Sequence, residues 1–114
     1  MYDDYSQRTE PAIIFLGEQD GKPERQLKSA LGTRFKGMET VGRAYLVRVR
    51  YGSVGPAEIA LALVASAEDK DAVVRSVHEE FRALFNTTQH LDIMFLTPAQ
   101  EREAALICPP FFSR

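Results

Sequence analysis

A chain of 114 residues, 45% apolar and 26% charged, has the size and composition of one globular domain with its own core. A formal net charge of −2, with acids and bases interspersed, excludes the basic face of a dedicated nucleic-acid binder and the cluster of a polybasic membrane anchor. The single cysteine, Cys108, excludes an intramolecular disulfide framework, and the longest strongly apolar stretch, 59–67, is too short to span a bilayer.

Residues 1–11 are polar and expected to be mobile, leaving 12–114 as a single domain. Met1-Tyr2-Asp3-Asp4-Tyr5 offers neither the basic region nor the apolar run of a secretory signal, so a reducing, cytoplasmic setting is expected. Ala12 to Leu16 is a continuous apolar run ending at Gly17, as in a strand buried on both faces. Asp20-Gly21 signals a turn, and Pro23 suits the first turn of a helix that carries Leu27, Ala30, Leu31 and Phe35 towards a stop at Gly37. Arg43 to Tyr51 alternates, with Tyr45, Val47, Val49 and Tyr51 on one side and Ala44, Leu46, Arg48 and Arg50 on the other. Across the Gly52–Pro56 loop, Glu58 to Ala65 alternates too, and the two runs read as a β-hairpin. Ser66 to Asp69 marks the start of a helix striped by Val73, Val74, Val77, Phe81, Leu84 and Phe85, with Asn86-Thr87-Thr88 as its stop. Leu91 to Leu96 reads as a last strand. Thr97-Pro98-Ala99-Gln100 has the form of a capping box, with proline at the first helical position.

The order β-α-β-β-α-β predicts an α+β, ferredoxin-like domain: a four-stranded antiparallel sheet in spatial order 4-1-3-2, two long helices on one face, then a short helix and a docked tail. Arg48, Arg50 and Asp92 are expected to mark the edge strands. Two helices cover only one face of such a sheet. The other would hold Ile14, Leu16, Leu46, Ala60, Ala62, Val64, Met94 and Leu96, an apolar patch of the kind that marks an interaction face. The tail Pro109, Pro110, Phe111 and Phe112 is expected to cover part of it, and a second copy or partner protein the rest.

No catalytic, cofactor-binding or metal-binding motif is visible. His78 borders the apolar stripe of its helix, and His90 reads as a loop residue. Two histidines and one cysteine without ligand spacing do not predict a zinc site. Cys108, before two prolines, reads as packing. The carboxylates fall at helix starts and on solvated faces, so a non-enzymatic module without a cofactor is expected. RNA recognition would need aromatics on the first and third strands, and the third has none. The loop at Gly17, Asp20 and Gly21 resembles that of amino-acid-sensing ACT domains, which share this element order and bind small ligands near the loop after the first strand.

A second resemblance covers residues 23–112. It runs from Gly42-Arg43-Ala44-Tyr45-Leu46-Val47-Arg48-Val49 through Ile59-Ala60-Leu61-Ala62-Leu63 and Leu91-Asp92-Ile93-Met94-Phe95-Leu96 to Pro110-Phe111-Phe112. This pattern is similar to the C-terminal domain of the bacterial enhanced serine sensitivity (SseB) family, with Phe112 where that family carries tyrosine. The resemblance implies a cytoplasmic bacterial protein linked to serine tolerance, and supplies no catalytic residue. The leading expectation is thus an interaction or regulatory module that forms a homodimer or docks a partner through the apolar sheet face. An ACT-like amino-acid sensor is the alternative.

Overall fold

The computed structural model describes residues 12–85 and 89–114, so the N-terminal segment and the Asn86-Thr87-Thr88 stop lie outside the described residues. The chain is a mixed α+β domain: β1 (Ile13–Glu18), α1 (Lys22–Lys36), β2 (Val41–Tyr51), β3 (Glu58–Ala65), α2 (Lys70–Leu84), β4 (Asp92–Phe95), α3 (Pro98–Ile107) and β5 (Phe112–Ser113). Alternation makes the two central strands. Leu46 stands opposite Leu61, and Tyr45 opposite Ala62, so one-residue alternation sorts the side chains of both strands onto the same two faces. The connecting loop places Gly52 at φ 78° and Gly55 at φ 151°, backbone conformations that favour glycine.

The strand order differs from the ferredoxin-like expectation. It runs β1-β2-β3-β4, with β1-β2 and β2-β3 antiparallel and β3-β4 parallel, and β5 pairs β2. β4 returns across α2 to lie beside β3, taking the position expected for β1. β1 goes instead to the free side of β2. At 11 residues β2 is long enough to hold two partners end to end on that side: β1 against Val47–Tyr51, and β5 against Arg43 and Ala44. The apolar run of β1 therefore lies in an outer strand and is half-buried. Arg48 and Arg50 lie at one end of a central strand, not on an edge. Asp92 does begin an outer strand, β4.

Both faces of the sheet carry a core. On one face α1 sets Leu27, Leu31 and Phe35 against Leu46, Leu61 and Leu63, with Val73 and Val77 from α2. On the other, Tyr45, Val47, Val49, Ala60 and Ala62 pack with Cys108 at the end of α3. Burying a Leu or Phe side chain contributes roughly 1.5–3 kcal/mol, so two apolar layers suit a chain of this size without a disulfide. Arg34 ties α1 to α2 through Glu79 at 2.9 Å and Glu80 at 2.7 Å. Arg43 and the Tyr45 hydroxyl both donate to Glu101, tying α3 to β2.

The chain end is docked, but along a sheet edge and into the helix-side core. Phe111 N–H donates to the Ala44 carbonyl and Arg114 N–H to that of Gly42, both at 2.9 Å. Phe112 is 8% exposed and meets Phe35 edge-on, ring centroids 5.7 Å apart. Pro109 and Pro110 are exposed, and Phe111 is half-buried.

Candidate functional site

The helix-side core does not fill the whole space beneath the helices. Past Leu46, the positions of β2 that face α1 and α2 become Arg48 and Arg50, and Ile59 is the last apolar residue of β3 on that side. A cavity of about 250 Å³ opens there, lined by Glu24, Leu27, Leu46, Ile59, Phe81, Phe85, Gln89, His90 and Leu91. One wall is a stacked pair, Phe81 in α2 and Phe85 just past its end, with centroids at 4.7 Å. The lining divides by exposure. Leu27, Leu46 and Leu91 are buried, Ile59, Phe81 and Phe85 are half-buried, and the polar Gln89 and His90 face solvent.

Glu24 gives the cavity a negative charge. It lies on the same helical face as Leu27, Leu31 and Phe35, where the periodicity that buries those residues places an acid at the end of an apolar stripe. The Gln19 side-chain amide donates to Glu24 Oε2 at 3.1 Å, joining the β1–α1 loop to the cavity. In that loop, Gly17 pairs with Arg48 just past a bulge in β1, and the Gly21 carbonyl accepts from Arg25 N–H. Asp20 pairs with Lys28 at 3.2 Å and Arg25 at 3.1 Å, and the hydrogen bond from Lys28 holds its carboxyl below the usual value. The cavity thus touches the ACT-like loop through Gln19, not through Gly17, Asp20 or Gly21 themselves.

A polar cluster borders the same end of the sheet. Tyr51 closes β2, Glu58 opens β3, Asp92 opens β4, and His90 stands two residues before Asp92. The Tyr51 hydroxyl donates to Asp92 Oδ2 at 2.7 Å, while His90 Nε2 lies 2.5 Å from Asp92 Oδ1. Burial pushes the Tyr51 phenol above its ordinary range, and the Asp92 and Glu58 carboxylates push the same way. His90 belongs both to this cluster and to the cavity lining.

The residues expected to form one interaction face divide between several places. Ala60 and Ala62 are fully buried on the α3 side, and Val64, Met94 and Leu96 pack half-buried around them. Leu46 lies on the opposite face, because its partner is Leu61 and not Ala60 or Ala62. Ile14 stands opposite Arg50, and Leu16 sits at the bulge between Phe15 and Gly17. Ile13 and Phe15 are the β1 residues that join the α3-side core. Cys108 is buried there, and burial pushes its thiol up to about 11. The cavity was not foreseen from the sequence. Glu24 in register with Leu27 and Leu31 was its one visible signal.

No family model matches the chain, and no curated protein and no solved structure is similar to it at a significant level.

Proposed function

We propose that this chain is a non-enzymatic binding module whose ligand seat is the cavity between α1, α2 and the sheet. The observation that carries the reading is the division of its lining: a largely apolar chamber with Glu24 as its charged member and solvent-facing Gln89 and His90. Small-molecule sites combine an apolar wall with a few placed polar groups in this way. The ligand that fits is a small amphiphile with an apolar body against Leu27, Leu46, Phe81 and Phe85 and an ammonium group at Glu24. An amino acid with an apolar side chain has that chemistry; serine, the amino acid in the name of the resembled family, offers less to the wall. Membership of that family and a cytoplasmic bacterial setting belong to the same proposal and rest on the sequence resemblance.

Calorimetry against apolar amino acids and primary amines tests this. Saturable binding is expected, weakened by Glu24→Gln. At 100 times Kd the ligand would add about 2.7 kcal/mol of stability, a rise in Tm of roughly 10 °C. A flat response across the panel would remove the reading.

Association is a second reading, favoured by the half-buried Val64, Met94 and Leu96 on the α3 side and by Leu106, 84% exposed on α3. Light scattering at high micromolar concentration should then report a dimer that Met94→Arg dissociates. A monomer under those conditions would eliminate it.

A further inference from the structure

We propose that Glu58, His90 and Asp92 form a binding site for one divalent transition-metal ion of the zinc class. The sheet register builds the constellation. Ala60 pairs with Asp92 where the parallel β3-β4 ladder begins, Glu58 opens β3 two residues before Ala60, and His90 precedes β4 by two residues. Side chains two apart on a strand share a face, so Glu58 lies on the side of the sheet that Ala60 and its partner Asp92 face, and His90 reaches Asp92 from the segment before β4. One ligand atom from each lies within 4.8 Å of the other two. At metal–ligand bonds of about 2.0–2.2 Å, two ligands of one zinc ion stand no more than about 4.4 Å apart, within reach of small side-chain rotations.

The electrostatics favour a cation. Two carboxylates meet at half-buried positions, and among the described residues neither is paired with a lysine or arginine. Like charges so placed repel, and a bound dication removes the repulsion. The donor set selects the ion. One imidazole nitrogen with two carboxylates suits zinc and its neighbours, and three protein ligands leave a coordination position open. Calcium takes six to eight oxygen ligands and magnesium a near-ideal octahedron of them, which these three residues do not supply. Tyr51 has a second role: its hydroxyl holds Asp92 Oδ2 at 2.7 Å, leaving Oδ1 directed at His90. Partners that orient a ligand in this way typically contribute about 10–100-fold to metal affinity.

The proposal does not depend on the cavity ligand, although His90 is shared, because zinc binding and amine binding are read in separate titrations. Zinc chloride titrated into the full chain against a chromophoric chelator should show one saturable ion per chain. His90→Ala and Asp92→Asn should each weaken it by at least about tenfold, and Tyr51→Phe by about tenfold. Equimolar magnesium or calcium should not compete. Circular dichroism identifies a variant that has failed to fold, and Glu58→Gln, at a strand end, provides an independent ligand deletion. Absence of saturable zinc binding in the natural sequence would overturn the site. So would zinc binding that folded His90→Ala and Glu58→Gln both leave unchanged.

Discussion

Glu101 receives Arg43 and the Tyr45 hydroxyl together, and the hydrogen bonds from Arg43 hold its carboxyl below the ordinary value. Its folded pKa is lower than its unfolded one, so the unfolded chain binds more protons through the intervening window. The stabilisation is therefore complete above the unfolded value and is lost as pH falls through the folded one. Arg43 is 43% exposed, so solvent screening limits the bridge, and Glu101→Gln should cost about 1 kcal/mol at neutral pH. Urea titrations should show that difference shrinking as pH falls below the ordinary glutamate range; a constant difference would place the cost in packing. Cys108 shows the opposite consequence of burial. Its thiol, pushed up to about 11, is almost wholly protonated at neutral pH, and only the thiolate attacks alkylating reagents. Iodoacetamide should modify it at the rate at which the tail opens, and denaturant should accelerate labelling strongly. Fast labelling of the native chain would mean that the end of α3 is not closed. Cys108 was legible as a packing residue because an isolated thiol beside two prolines has no base near it. The Glu101 bridge was not legible: its partners are 58 and 56 residues away, and nothing local in either sequence marks them.

Helices are legible in the sequence where their signals are local. Thr97 accepts from Gln100 N–H at 3.2 Å, and the Gln100 side chain returns to Thr97 N–H at 2.9 Å, so the capping box anticipated from four residues is present in full. Thr97→Ala should cost about 1 kcal/mol. α2 was harder to delimit, because Asp69 precedes it in a left-handed conformation at φ 60° and makes no side-chain cap. Its apolar stripe reaches Phe85 as expected, with Phe81 and Phe85 packed against the core beside the cavity, but Leu84 leaves it and is 39% exposed. Gly32 gives the cleanest test at this scale. It lies within α1, and a methyl group added there meets nothing within 4 Å. Gly32→Ala should therefore gain close to the full helix-propensity difference of about 1 kcal/mol. Thermal denaturation would show this as roughly 4 °C in Tm, and a loss of stability would indicate crowding that the structure does not contain.

Alternation within β2 and β3 sorted their faces from sequence, because side-chain direction has a period of two whatever the strands pair with. Strand order has no such local signature. β1 reads as a central strand by its apolar run, yet it is half-buried on the outer side of β2, which is five residues longer than β1. That surplus length is also what receives the chain end, so the tail completes the sheet and does more than shield a face. Three connections hold it: β5 extends the ladder at Arg43 and Ala44, Phe112 fills the core against Phe35, and Arg114 donates to the carbonyls of Val41 at 3.0 Å and Met38 at 2.9 Å. Phe112→Ala removes the second, together with the ring under the Arg114 guanidinium, and should cost about 3 kcal/mol, at the lower end for a core phenylalanine because the site lies near the edge. Truncation after Ile107 removes all three and leaves Ala44 and Gly42 carbonyls without their partners. Against a total stability of about 5–15 kcal/mol for a domain, such a chain should melt far below the full one. Its far-ultraviolet spectrum should already be diminished at 25 °C. A truncated chain that melts within a few degrees of the full one would mean that β1 and β2 sustain the sheet without the tail.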